Sequence, residues 1–230
     1  MKTFKKLAKY FLFAIVIFVA ASVVTVAITK FINPFVTPLM LLRPIEGMLE
    51  GKAVGIEKDW VDYEEISPSF FRAVIAAEDA KFMRHDGFDR QAIEAARRYN
   101  ELHKGKKKRG ASTISMQTAK NTFLWHGRNY VRKGLEAYFT VLIEAVWGKK
   151  RILEVYANVI EFGEGIYGVE AASQKFFGKS AKNLTKRQAA LLASVLPNPR
   201  RWSPAKPTPY INRRVGWIMG RMNSIALPRN

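Results

Sequence analysis

The sequence predicts a mostly α-helical protein, built from a single N-terminal transmembrane helix followed by one helical domain. Residues 10–29 carry no charge, and twenty helical residues span about 30 Å, the apolar thickness of a bilayer. Beyond them, apolar residues recur mostly at helical spacing, and alternating strand patterns are scarce, with a short one within 53–66. At 230 residues, the chain is long enough for one sizeable domain and an appendage.

The N-terminal segment has the composition of an uncleaved membrane anchor. The apolar run is preceded by lysines and no acidic residue, at Lys2, Lys5, Lys6 and Lys9. Because a basic flank stays in the cytoplasm, we predict a cytoplasmic tail at 1–9 and a single-pass anchor at 10–29 in the cytoplasmic (inner) membrane. The remaining chain then lies on the periplasmic, extracytoplasmic face. A cleaved signal peptide is the alternative, but its apolar part would normally end after about 7–15 residues.

Residues 30–44 connect the anchor to the domain. This segment is apolar but is interrupted by Pro34, Pro38 and Pro44. Proline removes a backbone donor and breaks helices, so the segment is predicted to be an irregular juxtamembrane linker rather than a second span. The domain is predicted over 45–230.

The first helix of the domain is predicted to end in two adjacent carboxylates. Ser67 is placed to cap it, Pro68 suits its first position, and an apolar stripe at helical spacing follows. Glu78 continues that stripe, so we expect its carboxylate to be partly desolvated and its pKa to be raised. Asp79 points about 100° away around the helix, which favours a role as a structural hydrogen-bonding partner.

The rest of the domain reads as further helices. Apolar spacing predicts them over 89–103, 132–147, 149–160, 168–177, 184–196 and 209–222. Thr185, with Gln188 three residues later, has the pattern of a capping box.

The net charge of +19 indicates an anionic partner, and the chain contains no cysteine for disulfide or thiol chemistry. Nucleic acid is disfavoured because the predicted topology puts the basic body outside the cytoplasm. The basic run at 104–110 is either a solvated loop or a contact with anionic lipid headgroups. The aromatic stretch 122–130 either packs in the core or dips into the membrane interface.

Five stretches carry candidate chemical groups: "EDAKFMRHDGF" at 78–88, "RGASTISMQTAKN" at 109–121, "RKGLE" at 132–136, "KRILEVYAN" at 150–158 and "EFGEGIYGVEAASQKFFGK" at 161–179. Helical spacing places Gln117 beside Lys120 or Asn121, and either Arg132 or Lys133 beside Glu136. Two carboxylates on separate helices suit chemistry at a sugar anomeric centre. An adjacent Arg and Lys pair suits a phosphate or pyrophosphate. Together these groups predict glycosyl transfer from a sugar pyrophosphate.

In this order, the five stretches resemble the five motifs of the peptidoglycan glycosyltransferases, lysozyme-like enzymes that polymerise lipid II. The match covers roughly 66–199, and the single anchor resembles the monofunctional members of the family. The resemblance implies a lysozyme-like α-helical domain that releases undecaprenyl pyrophosphate and inverts the anomeric carbon. It implies that lipid II, the growing glycan chain, membrane lipids and cell-wall synthesis or division proteins are partners. Ala111 departs from the family's frequent second glycine.

The resemblance also assigns residues. Glu78 matches the general base, and Glu136 matches a second carboxylate at the pyrophosphate, where Mg²⁺ or Mn²⁺ is expected. The cations around the pyrophosphate are Lys120, Arg132 and Lys133. Positions that line or brace the cleft are Asp79, Phe82, His85, Ser112, Thr113, Gln117, Asn121 and Glu170.

Each assignment has a plainer alternative. Taken alone, Glu78 and Asp79 would form a solvated helix end, and Arg132, Lys133 and Glu136 a surface salt-bridge cluster. His85 is more typical of a hydrogen-bonded structural residue than of a catalyst. A lytic enzyme that cleaves the same glycan is the alternative function, because a lysozyme-like fold serves both directions.

Overall fold

The computed structural model describes residues 2–103, 109–127 and 129–228. Its α-helices are α1 Lys2–Phe31, α2 Pro38–Leu49, α3 Pro68–Glu78, α4 Arg90–Leu102, α5 Ile114–Phe123, α6 Tyr130–Val146, α7 Gly148–Val159, α8 Val169–Phe177, α9 Lys186–Val195 and α10 Pro209–Met222. The strands are β1 Glu57–Lys58, β2 Glu161–Gly163 and β3 Ile166–Tyr167. The prediction of a mostly α-helical chain is confirmed.

Helix α1 contains the predicted anchor and most of the basic tail. Within the described residues, one helix is long and apolar enough to cross a membrane, over Thr3–Phe31. Its second half packs against the domain: the Ser22 and Tyr138 hydroxyls lie 2.6 Å apart, and Trp147 Nε1 donates to the Val26 carbonyl at 2.7 Å. The anchor is therefore packed onto α6 and its end.

Helix α2 corrects the predicted linker. The irregular segment expected over 30–44 contains a helix that begins at Pro38 and crosses the predicted domain boundary. Pro38 occupies the first helical turn, where its missing N–H has no intrahelical partner in any case. Pro44 lies inside the helix, and burial of Leu39 and Met40 beside Tyr167 offsets the lost backbone hydrogen bond.

The domain core has two packed groups of helices. Helix α3 packs against α9 and α10, and α5 packs against α6 and α7. Ser67 caps α3 by accepting from Ser69 N at 3.3 Å, and the capping box of Thr185 and Gln188 opens α9 as predicted. These contacts bring the end of α3 and the starts of α5 and α6 to one region of the domain.

The strand content is small. The strands form one sheet in the order β1-β3-β2, with β1 parallel and β2 antiparallel to β3. The pattern at 53–66 yields only the two residues of β1. At the β2–β3 turn, Gly165 has φ +74°, and a Cβ there would lie 2.3 Å from the Gly55 carbonyl oxygen, so only glycine fits.

Candidate active site

A cavity of about 300 Å³ lies between α2, α5, α7 and the segment after α9. Its lining includes the predicted residues Gln117, Lys120 and Asn121, all on α5. The other polar residues in its wall are Arg43, His126, Tyr156, Glu161, Asn198 and Arg200. The helical spacing that put these three candidate residues close together on α5 is therefore consistent with their lining one wall of this cavity.

Glu78 is the last residue of α3, and its side chain is only 15% exposed. One carboxylate oxygen accepts from Gln117 Nε2 at 3.1 Å and the other from Arg214 Nη2 at 3.2 Å. Burial raises the pKa of Glu78, while the hydrogen bond from Gln117 and the charge of Arg214 act in the opposite direction. Glu78 is thus a partly desolvated carboxylate that is joined to the cavity wall through Gln117.

Asp79 braces the turn behind Glu78. Its two oxygens lie 2.9 and 3.1 Å from His85 Nε2, and one also accepts from Ile114 N at 3.0 Å, at the start of α5. Burial raises the pKa of Asp79, and its hydrogen bond with His85 opposes that shift. These contacts match the structural roles expected of Asp79 and His85. Phe82 is fully buried, with its ring edge-on to His85.

Thr113 and Ser112 connect this turn to α5 and α6. The Thr113 hydroxyl donates to the Gly87 carbonyl at 2.6 Å and accepts from Met116 N at 3.2 Å as the cap of α5. Exposed Ser112 accepts from Lys133 Nζ at 3.2 Å. Thr113 is thus a structural cap, whereas Ser112 lies beside the cations of α6.

Glu136 is a buried carboxylate held between two cations. It is 2% exposed, and its oxygens pair with Arg132 Nη1 and Lys133 Nζ on the same helix. Arg132 is fixed in turn, because its Nε donates to the Gly127 carbonyl at 2.7 Å. The side-chain pairings predicted from helical spacing are present, and burial of Glu136 distinguishes them from a surface salt-bridge cluster.

Lys120 is partly buried near this cluster and lines the cavity. Among the described residues, no hydrogen bond or ion pair reaches its ammonium group. Burial lowers the pKa of Lys120; the charge of Glu136 raises it, and the charge of Arg132 lowers it further. A desolvated cation beside other cations, without a partner of its own, is suited to bind an anionic ligand.

Helix α5 links the two carboxylates. Gln117 contacts Glu78, and Lys120, three residues later, lies within the field of Glu136. Near Gln117 lies a carboxylate that can accept a proton, Glu78. Near Lys120 lie the cations Arg132 and Lys133, which together with Lys120 can bind an anion.

Glu170 lies outside this arrangement. Its oxygens accept from Ala181 N at 2.6 Å and Gln174 Nε2 at 2.8 Å, and the Ala181 carbonyl accepts from Ser67 N at 3.1 Å. Glu170 therefore braces the start of α3 and does not line the cavity. Glu154, in the fourth stretch, pairs with Arg151 on the same helix and does not line the cavity.

Sequence reasoning missed Arg214, the partner of Glu78 from α10. The sequence does hint at Arg214 through its spacing. It lies three residues after buried Ile211 and four before buried Ile218, so it stands on the apolar side of its helix, where a charged residue is unusual. It also missed the far wall of the cavity, where Arg43 donates to Glu161 and to Glu46.

Two predicted contacts with the membrane have different outcomes. Lys104–Lys108, the centre of the basic run, lie outside the described residues. In the aromatic stretch, Phe123 stacks on Phe139 and Leu124 is buried, so both belong to the core. Trp125 is 39% exposed and lines the cavity.

The comparison with known families decides the family. A model of the family described as transglycosylase matches residues 47–223. The chain belongs to the transglycosylase family. The family predicted from five motifs is thereby confirmed, and the matched range contains every predicted site residue.

Three relatives share about half of their aligned residues with this transglycosylase chain. Each is named biosynthetic peptidoglycan transglycosylase. The protein from Bdellovibrio bacteriovorus is 52% identical over 97% of this chain and 88% of its own length. That from Caulobacter vibrioides is 55% identical over 86% of this chain and 83% of its own. That from Pseudomonas fluorescens strain Pf0-1 is 49% identical over 92% and 88%.

Proposed function

We propose that the chain is a peptidoglycan glycosyltransferase that polymerises lipid II into β-1,4-linked glycan strands and releases undecaprenyl pyrophosphate. The observation that carries this proposal is Lys120, a desolvated cation without a partner among the described residues, beside Arg132 and Lys133. A pyrophosphate leaving group needs such cations. The names of the relatives support the same activity.

Glu78 is the general base. It accepts the proton from the 4-hydroxyl of the acceptor N-acetylglucosamine, and the resulting oxygen attacks the anomeric carbon of the donor chain's N-acetylmuramic acid. The bond from that carbon to the pyrophosphate oxygen breaks, and the anomeric centre inverts. The raised pKa of Glu78 makes its carboxylate a better proton acceptor than an ordinary glutamate.

The cations of α5 and α6 receive the leaving group. The Lys120 ammonium is partly desolvated, and an anion bound beside it offsets the free-energy cost of that unpaired charge. Arg132 and Lys133 are oriented by Glu136, so the proposed role of Glu136 is to hold them in position. Such preorganised charge stabilises a developing anion without reorganisation during the reaction.

The divalent ion expected near Glu136 stays a prediction. Both oxygens of Glu136 are already paired with cations, so an ion bound there would take most of its ligands from the pyrophosphate oxygens and water. The reaction steps above are assigned to side chains alone.

The proposed location is the extracytoplasmic face of the cytoplasmic membrane, with the N-terminus in the cytoplasm. Helix α1 fits a single-pass anchor, and the basic residues at its start support this orientation. The proposed partners are lipid II, the growing glycan, membrane lipids and other proteins of wall synthesis or division.

The test compares two substrates. Detergent-solubilised protein is incubated either with labelled lipid II and Mg²⁺ or with preformed glycan, and products are resolved by size. We expect lysozyme-sensitive polymer from lipid II, with one undecaprenyl pyrophosphate released per bond formed. Cleavage of glycan without polymer would replace the proposal with the lytic alternative.

A further inference from the structure

Helix α10 carries aromatic and basic side chains in alternation along one flank. Its residues Tyr210, Arg214, Trp217 and Arg221, the α10 strip, follow one another at intervals of four, three and four residues. This spacing places them on one side of the helix, beside its buried apolar stripe. Tyr210 is 49% exposed and Trp217 is 45% exposed. Accessible tryptophan and tyrosine next to arginine are typical of a recognition surface.

The α10 strip passes the proposed base. In the middle of the strip, Arg214 Nη2 donates to Glu78 at 3.2 Å. Arg214 Nε is buried and has no hydrogen-bond partner among the described residues. Because a guanidinium carries five N–H donors, Arg214 can hold Glu78 and still donate to a ligand on the strip.

Trp202 connects the α10 strip to the cavity. Its backbone N–H donates to the Asn198 carbonyl at 3.1 Å, and Asn198 lines the cavity. The rings of Trp202 and Tyr210, the first residue of the strip, lie 5.4 Å apart. Aromatic surface therefore continues from the cavity wall onto α10.

The shape and position of the strip suit an extended chain that leaves the cavity. Helix α10 rises about 16 Å between Tyr210 and Arg221. It packs on α3 and α9, whereas the anchor α1 packs on α6, in the other group of helices. The growing glycan has the matching geometry, because its lipid-linked sugar lies at the pyrophosphate cations and the sugars added earlier extend away from it.

The chemistry of the strip also matches this glycan. A sugar ring offers a flat C–H face that packs on the face of an aromatic ring. The peptide on each N-acetylmuramic acid ends in a carboxylate, which a guanidinium binds well. The guanidinium of Arg221 lies 4.0 Å from the centre of the Trp217 ring, so the strip presents a cation and an aromatic ring together. The net charge of +19 favours an anionic chain at this surface.

We propose that the α10 strip, together with Trp202, binds the sugars of the growing glycan that lie beyond the disaccharide in the cavity. This inference rests on the proposed function and adds a binding surface for the older part of the donor chain. A donor with a single disaccharide does not reach the strip. The strip should therefore matter for extension of long chains and not for the joining of two lipid II molecules.

The kinetic test compares donors of different length. Tyr210→Ala and Trp217→Ala are assayed in the full chain in detergent, with Tyr130→Ala as the control, because Tyr130 is a 97% exposed tyrosine at the start of α6. The donors are lipid II and a lipid-linked glycan of several disaccharides, each with lipid II as the acceptor. For the long donor, kcat/KM should fall about tenfold in both strip variants. For lipid II as the donor, it should stay within about twofold of wild type. Equal losses with both donors, or no loss with the long donor, would overturn the inference.

A binding measurement separates this inference from the proposed function. Labelled glycan oligomers without lipid are titrated with the full chain, and the Kd is measured by fluorescence anisotropy. The Kd should be about tenfold higher for Tyr210→Ala than for Tyr130→Ala. That difference in a protein that makes no polymer would refute the proposed function and keep the glycan surface. Equal Kd values in a protein that polymerises lipid II would refute the glycan surface alone. If Tyr210→Ala changes the sedimentation of the protein without glycan, a second copy covers the strip, and the inference fails.

Discussion

Replacing Lys120 with methionine should stabilise the protein while disabling it. The Lys120 side chain is partly buried in the cavity wall near Arg132 and Lys133, and no described residue bonds to its ammonium. A buried polar group without a partner costs about 1–3 kcal/mol; because this ammonium reaches the cavity, the lower end of that range applies, and methionine fills similar space without a charge. For a chain of this size, a gain of about 1 kcal/mol should raise the melting temperature of Lys120→Met by roughly 2–4 °C.

The activity of Lys120→Met should move in the opposite direction. Losing one preorganised donor to a developing anion typically lowers kcat about 10²- to 10³-fold. Polymerisation of lipid II and thermal unfolding are measured on the same preparation. The control is Lys182→Met, because Lys182 is exposed and its partner Glu65 is also at the surface. A Lys120→Met protein that is less stable, or that retains full activity, would refute the reasoning.

The gain in stability should also depend on pH. The folded-state pKa of Lys120 lies below its ordinary value of 10.5. At pH values below that lowered pKa, the folded state carries the whole cost of burying the charged form. The penalty disappears as the pH rises towards the unfolded-state pKa. The difference in melting temperature between Lys120→Met and wild type should therefore be largest below the lowered pKa of Lys120 and shrink as the pH rises towards 10.5.

The remaining predictions concern contacts around the site and the anchor. Arg214→Gln removes a charge that lowers the pKa of Glu78, so the acid limb of the pH profile of kcat/KM should move to higher pH; an unmoved limb would separate Arg214 from the base. Asp79→Asn weakens the bonds to His85 and Ile114 N and should lower the free energy of unfolding by about 1.5–3 kcal/mol; an unchanged melting temperature would exclude the bracing role. Trp147→Phe removes the bond to the Val26 carbonyl, so amide exchange at the end of α1 should accelerate about 2- to 12-fold; unchanged exchange there would show that this bond does not hold the anchor.

Local spacing predicted the parts of the site that lie on one helix. Arg132 and Lys133 reach Glu136 because residues three and four apart share a helix face. The same rule placed Gln117 and Lys120 together on α5. It also predicted that Glu78 would continue the buried stripe of α3.

Contacts between distant segments were not predictable in this way. Arg214 reaches Glu78 across 136 residues, and no local pattern specifies that meeting. Helix α2 was missed because its prolines argue against a helix, whereas tertiary burial of Leu39 and Met40 outweighs them. The sequence of α1 did not predict that part of the helix packs against α6, because a helix surface in contact with protein and one in contact with lipid are both built from apolar residues.

The central claim is that Glu78 acts as the base in lipid II polymerisation, and Glu78→Gln tests it most directly. The control is Glu154→Gln, because Glu154 is also a partly buried glutamate that pairs with an arginine. The account predicts a polymerisation rate about 10²- to 10⁴-fold lower for Glu78→Gln, with near wild-type rates for Glu154→Gln and folded protein in both. Substantial polymerisation by folded Glu78→Gln would contradict it.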